Sequence, residues 1–79
     1  FEELYKKMQK FEKDSNIEEA QVYSDGIALF WIDYVDVLIN GTLFLTSTIV
    51  LGSDGVEIYG SYGAKAFEFD EITEFDIDV

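Results

Sequence analysis

Four glycine-containing turn signals divide most of this chain into short segments, and this punctuation limits what it can fold into. They are SDG at 24–26, NG at 40–41, GSDG at 52–55 and GSYG at 60–63. The segments between them are rich in β-branched and aromatic residues and free of proline, as strands are. The NG pair is the strongest short hairpin signal, because both residues accept the positive φ of a type I′ turn. We therefore predict an antiparallel meander over residues 17–79.

The first fourteen residues follow a different period. Phe1, Leu4, Tyr5, Met8 and Phe11 recur at helical spacing and form one apolar stripe, which is typical of an amphipathic helix. A sheet with one apolar face needs a cover for that face. We therefore predict an α+β fold in a single domain, 1–79, in which a helix over 1–14 packs on one face of a four- to five-stranded antiparallel β-meander.

An unbroken register from the NG turn assigns every strand residue to one of two faces. The turn places Ile39 opposite Thr42. The predicted core face then carries Ala20, Val22, Phe30, Ile32, Leu38, Leu43, Leu45, Ile49, Leu51, Val56 and Ile58. The second face carries Tyr23, Trp31, Asp33, Phe44 and Tyr59, and exposed aromatic side chains of this kind often anchor interfaces. Two other arrangements cover this face: a sheet that curls into a partial barrel, or a C-terminal segment folded across it.

Charge is unevenly distributed along the chain. There are 17 acidic residues against 5 lysines, and the net charge is −12. Residues 1–13 hold four of the lysines and three glutamates, a net charge of +1, so residues 14–79 carry −13. Such a field repels nucleic acid and anionic membranes and attracts basic protein surfaces.

The tail, AFEFDEITEFDIDV, carries much of that charge. Its apolar residues Phe67, Phe69, Ile72, Phe75, Ile77 and Val79 are predicted to point inward, with a tight bend at DEI. The acids between them then point to solvent. This alternation is typical of a half-buried strand, and its carboxylates discourage edge-to-edge aggregation.

The composition argues against catalysis, metal and cofactor binding. The chain contains no His and no Cys, so the commonest general base and the commonest metal ligands are missing. Glu74, Asp76 and Asp78 form a carboxylate row that offers two or three ligands, where Ca²⁺ takes about six to eight. No apolar run reaches the roughly 18 residues of a membrane helix. We expect a non-catalytic, cytoplasmic protein without metal or cofactor.

The preferred function is that of an acidic binding or inhibitor protein that occupies the basic, nucleic-acid-binding surface of a partner. The candidate acidic residues are Glu57, Glu68, Asp70, Glu71, Glu74, Asp76 and Asp78, with Asp25 and Asp54 in support. Duplex DNA carries one charge per ~1.7 Å of axis, whereas one strand row carries one per ~7 Å. Several rows of acids therefore have to cooperate.

In size, charge and architecture the chain is similar to small acidic inhibitors of phages and mobile elements, such as anti-CRISPR and anti-restriction proteins. It is similar in the same respects to immunity proteins that neutralise nuclease toxins. The likeness implies a basic protein partner that handles nucleic acid, a DNA-mimic-like role, and no direct contact with nucleic acid or membrane. The alternative is a structural module that forms a homodimer or hetero-oligomer through the second sheet face. A third is an ordinary domain from a salt-rich environment.

Overall fold

The computed structural model describes residues 1–78 as one helix followed by an antiparallel sheet. Helix α1 spans Glu2–Gln9. The strands are β1 (Ile17–Tyr23), β2 (Gly26–Ile39), β3 (Thr42–Leu51), β4 (Gly55–Gly60), β5 (Gly63–Glu68) and β6 (Phe75–Asp78), with a 3₁₀ helix at Phe69–Glu71 before β6. The predicted α+β layout is confirmed, with six strands in the described part of the chain instead of four or five. Val79, predicted to point inward, lies outside the described residues.

Strand β2 is the centre of the sheet. The strand order is β1-β2-β3-β4-β5, and β6 also pairs with β2. One edge of β2 pairs with β3, and β1 and β6 share the other edge. β1 pairs with residues 26–31 of β2, and β6 pairs with residues 36–39 of β2. The tail therefore does not extend the meander beyond β5 but returns to the opposite side of the sheet.

Helix α1 is shorter than predicted. It ends at Gln9 rather than at residue 14, and the chain continues in tight turns. The amide of Phe11 donates to the carbonyl of Met8 at 3.0 Å, and that of Asp14 to the carbonyl of Phe11 at 3.1 Å. These i→i−3 bonds satisfy carbonyls that a helix end leaves free. The side chain of Met8 is fully buried in the core.

The register of the β2–β3 hairpin agrees with the prediction near its turn and then breaks. Asn40 and Gly41 have φ of 52° and 84°, as a type I′ turn requires. Val35 pairs with Thr46, as predicted, but Phe30 pairs with Thr48. Four residues of β2 thus lie opposite a single residue of β3, Ser47.

The break moves β3 side chains from one face to the other. Next to the turn, even-numbered positions such as Thr46 point into the core, whereas beyond Ser47 the buried residues are Ile49 and Leu51. The three extra residues of β2 have this effect because strand side chains alternate with a period of two, so an odd shift in register exchanges the faces of the partner strand.

Several face assignments from the sequence are consequently wrong. Trp31, assigned with Val35 and Val37 to the second face rather than to the core, is 4% exposed and lies with both of them in the core. Phe44 is half-buried against the same core. Ile32, Leu43 and Leu45, assigned to the core, are 60%, 62% and 48% exposed. Val22, also assigned to the core, is exposed. Phe30 and Leu38 are half-buried. The assignments of Ile49, Leu51, Val56 and Ile58 are confirmed.

An aromatic cluster closes the core beneath β3, β4 and β5. The ring of Phe44 lies 5.6 Å from that of Tyr62 and 6.0 Å from that of Phe67, centroid to centroid, both edge-on. The buried hydroxyl of Thr46 donates to the carbonyl of Phe44 at 2.9 Å and lies 2.8 Å from the hydroxyl of Tyr62. Contact between Phe44 of β3 and Phe67 of β5, two strands apart in the sheet, shows that the sheet is strongly curved.

The side chain of Asn40 attaches the tail to the hairpin. Its Nδ2 donates to the carbonyl of Glu71 at 2.8 Å. Its Oδ1 accepts from the amide of Thr73 at 2.8 Å, the hydroxyl of Thr73 at 3.0 Å and the amide of Glu74 at 3.2 Å. The backbone amide of Asn40 also donates to the carbonyl of Glu74 at 3.0 Å. One residue thus shapes the turn and fixes the start of β6.

We expect Asn40→Gly to lower the free energy of unfolding by about 1–3 kcal/mol, because the turn keeps its positive φ while the side-chain bonds to the tail are lost. Trp31 is the single tryptophan and is buried, so its fluorescence reports unfolding in denaturant. Amide exchange at Thr73 and Glu74 is expected to accelerate.

Asn40→Asp is the matched control. An aspartate tolerates the same φ and still accepts from both amides, but it cannot donate to the carbonyl of Glu71. It should therefore keep the amide protection of Thr73 and Glu74. Unchanged exchange in the glycine variant would show that the tail does not depend on this side chain.

Candidate partner-binding surface

Five carboxylates line one open surface cavity of about 560 Å³, which we call the acidic cavity. They come from five positions along the chain. Asp25 lies in the β1–β2 turn, Asp54 in the β3–β4 loop, Glu57 on β4, Glu68 at the end of β5 and Glu71 in the 3₁₀ helix. No lysine is among the lining residues described. The acidic cavity is therefore a concave surface of one sign of charge, assembled by the fold.

Backbone contacts hold the walls of the acidic cavity together. Gly55 pairs with Glu68 across β4 and β5, and a Cβ at Gly55 would lie 2.0 Å from the carbonyl oxygen of Phe67. Only glycine permits this approach. The amide of Gly52 donates to the carbonyl of Gly55 at 2.9 Å, and that of Phe69 to the carbonyl of Asp54 at 3.3 Å. The loop that carries Asp54 is thereby fixed against the end of β5.

Two of the carboxylates are oriented by a capping box on the 3₁₀ helix. The side chain of Glu71 accepts from the amide of Glu68 at 2.8 Å, and the side chain of Glu68 accepts from the amide of Glu71 in return. This reciprocal arrangement satisfies backbone donors at the start of the helix. The two glutamates therefore have restricted positions on the wall of the acidic cavity.

Glu57 is coupled to a neighbouring tyrosine. The hydroxyl of Tyr59 donates to Oε2 of Glu57 at 3.0 Å. This hydrogen bond is the main reason that the pKa of Tyr59 lies above its usual value, with smaller contributions from desolvation and from the negative charge of Glu57. The protonated Tyr59 hydroxyl therefore holds one carboxylate oxygen of Glu57 in a hydrogen bond.

A second group of acids lies at the other end of β2. Asp36 pairs with Asp78, and Leu38 pairs with Asp76, so these side chains share the sheet face opposite the core, which we call the outer face. Asp36, Asp76 and Asp78 are exposed. The predicted acids therefore form two separate groups rather than one patch along the tail.

The remaining predicted acids belong to neither group. Glu74 lines a smaller cavity between helix and tail together with Lys7, and Lys7 donates from Nζ to the carbonyl of Phe75 at 2.6 Å. The cationic helix thus lies beside this part of the tail. Asp70 is exposed in the 3₁₀ helix.

The residues predicted for the second sheet face fall into two groups, one exposed and one in the core. Tyr23, Asp33 and Tyr59 are exposed, whereas Trp31 and Phe44 belong to the core packing and are not available as anchors. Sequence reasoning missed Asp36, Leu43 and Leu45 as exposed neighbours on the outer face. The pairing of Asp36 with Leu45 and of Leu38 with Leu43 follows from the NG turn, but their exposure depends on the break at Ser47.

The chemistry of these surfaces is that of hydrogen-bond acceptors and negative charge. Within residues 1–78, no group of three or more metal-ligating side chains could hold a metal ion. Over the same residues, no helix has both the length and the apolar character needed to cross a membrane. Carboxylates pair with lysine and arginine side chains.

The chain matches no protein-family model, and no curated protein and no solved structure is significantly similar to it.

Replacement of Glu57 by Gln is expected to lower the pKa of Tyr59 towards 10, because the negative acceptor that favours the protonated phenol is removed. A pH titration followed by NMR of the Tyr59 ring measures this. Tyr62 is the internal control, since its pKa is raised mainly by burial and opposed by its bond to Thr46. An unchanged Tyr59 titration would mean that the two side chains are not coupled in solution.

Proposed function

We propose that this protein is an acidic, non-catalytic binding or inhibitor protein that occupies the basic, nucleic-acid-binding surface of a protein partner. The observation that carries the proposal is the acidic cavity, where five carboxylates from distant parts of the chain line one concave surface. A surface of this kind copies part of the charge pattern of nucleic acid, as anti-restriction, anti-CRISPR or nuclease-immunity inhibitors do.

Charge density is the physical basis of the proposal. A single strand row places one carboxylate per ~7 Å, far below the charge density of duplex DNA. The acidic cavity supplies the cooperation between rows that is required, because its five acidic residues come from two loops, two strands and a 3₁₀ helix. The net charge of −12 additionally speeds encounter with a basic partner.

A stable scaffold is part of the same proposal. We propose that helix α1 covers one face of the sheet. Met8 of the helix is fully buried in the core, and Phe11, just after the helix, lies 6.0 Å from Trp31 between ring centroids, which supports this placement. The protein acts in the cytoplasm, where its partner handles nucleic acid. It needs no cofactor and makes no direct contact with nucleic acid or membrane.

The decisive experiment neutralises three of the five carboxylates of the acidic cavity with side chains of the same shape. The partner is captured from the source organism with the unmodified chain. Affinity is then measured for the triple variant Asp54→Asn, Glu57→Gln, Glu68→Gln. Exposed ion pairs contribute about 0.2–1 kcal/mol each, so we expect the affinity to fall about tenfold. The unmodified complex should weaken steeply from low to moderate salt.

A charge-matched control separates the cavity from total charge. Glu2→Gln, Glu12→Gln and Glu18→Gln remove three charges outside the acidic cavity and should change the affinity by less than twofold. The function proposed here is wrong if both triple variants lose affinity equally, or if the captured partner is not a basic, nucleic-acid-handling protein.

A second candidate function is an assembly module that joins a partner subunit or a second copy through the outer face. The exposure of Leu43 and Leu45 on one strand favours it, because large apolar side chains clustered at the surface often mark interfaces. Since Trp31 and Phe44 support the core, charged substitutions there would unfold the chain rather than test this function.

The assembly function predicts an oligomer or complex that is insensitive to salt and that Leu43→Ser with Leu45→Ser disrupts. Sedimentation velocity at low and high salt measures it. A complex that survives this double variant would exclude these residues as the contact.

A further inference from the structure

An exposed apolar patch lies on the outer face at the hairpin end of the sheet. It consists of the exposed side chains of Leu43, Leu45 and Tyr34, with the half-buried Leu38 beside them. Leu38 is directly opposite Leu43 in the β2–β3 register, and Leu45 is two positions along the same strand. Leu45 and Tyr34 also line one surface cavity of about 540 Å³. This patch is distinct from the acidic cavity, which lies at the opposite end of β2 and β3.

Carboxylates border the apolar patch on one side. Asp36 is directly opposite Leu45 on β3 and opposite Asp78 on β6. Asp76 is opposite Leu38. Asp14, which precedes β1, lines the same cavity as Tyr34 and Leu45. A ligand that covers the leucines is therefore brought within reach of several negative charges.

This border determines which occupant fits. Two copies of the chain joined face to face at the patch would bring Asp36, Asp76 and Asp78 of each copy into one desolvated interface, where like charges oppose association. A partner segment with an apolar stripe and lysine or arginine beside it can cover the leucines and pair with the bordering carboxylates.

A segment that lies across the face of a sheet makes no backbone hydrogen bonds with it, so a helix, which satisfies its own backbone groups, suits this position. Helices dock on apolar surfaces through residues spaced three to four apart.

We propose that the outer-face patch binds a cationic amphipathic helix of a partner protein. Apolar side chains of that helix lie on Leu43 and Leu45, and its lysines or arginines pair with Asp36, Asp76 and Asp78. This inference rests on the second candidate function, with a partner subunit as the occupant, and does not depend on the acidic cavity.

The test uses a synthetic amphipathic helical peptide of leucine and lysine as the probe, titrated into the full chain by calorimetry and NMR. Backbone resonances of residues 34–38, 43–45 and 76–78 should shift. A peptide of the same composition with a scrambled, non-amphipathic order should bind at least tenfold more weakly, since it offers the same charge without the apolar stripe.

Two variants of the patch and one control variant test which residues bind the peptide. Leu43→Ser with Leu45→Ser removes the apolar part, and Asp36→Asn with Asp78→Asn removes the charges. Each should weaken the amphipathic peptide at least tenfold, or about 1.4 kcal/mol. Asp54→Asn with Glu57→Gln removes two charges in the acidic cavity and should change the affinity less than twofold. An unchanged denaturation midpoint, read from Trp31, shows that each variant is folded.

Three results would overturn the inference: equal losses in the patch and cavity variants, equal binding of the scrambled peptide, or a dimer of the free chain that the double serine variant converts to monomer. The cavity variant keeps this test separate from the inhibitor function. Patch variants should lose the peptide and keep the salt-sensitive partner complex. Cavity variants should weaken that complex and keep the peptide.

Discussion

The hydrogen bonds of Asn40 connect parts of the chain that are more than thirty residues apart, and the placement of the tail depends on them. The same residue supplies the positive φ of the NG turn and accepts from both Thr73 and Glu74. β6 therefore starts directly beside the hairpin and pairs with β2. Lys7 of the helix reaches the carbonyl of Phe75 in that strand, so the tail also connects α1 to the sheet. This attachment adds to the β2–β6 pairing that places Asp78 opposite Asp36, while the β4–β5 pairing and the Phe69–Asp54 backbone bond hold the 3₁₀ helix beside Asp54.

The turns could be predicted from the sequence, and the strand faces could not. The NG turn and the pairing of Leu51 with Val56 are dictated by local turn chemistry. The register break opposite Ser47 is not, because nothing in the sequence VLINGTLFLTSTIV marks where an alternating pattern changes its phase. The break places Leu43 and Leu45 on the surface of the same strand that buries Ile49 and Leu51. Trp31 is buried because β2 keeps one phase, with Leu29 and Val35 in the core on either side of the break.

The acidic residues of the cavity could be named from the sequence, but which of them meet in the fold could not. Asp25, Asp54, Glu57 and Glu71 could be named as cooperating acids from turn signals and alternation. Their meeting with Glu68 depends on the pairing of Gly55 with the end of β5, and the exclusion of Asp76 and Asp78 depends on β6 crossing to the far edge of β2. Long-range pairing of this kind is decided by packing rather than by a local pattern.

Competition between this protein and duplex DNA for one captured partner tests whether the carboxylates of the fold replace phosphates. With partner and labelled DNA held constant, increasing amounts of the chain should displace the DNA completely, at concentrations that rise when Asp54, Glu57 and Glu68 are neutralised. A stable ternary complex of partner, DNA and this protein would contradict that role, because the two ligands would then occupy different surfaces.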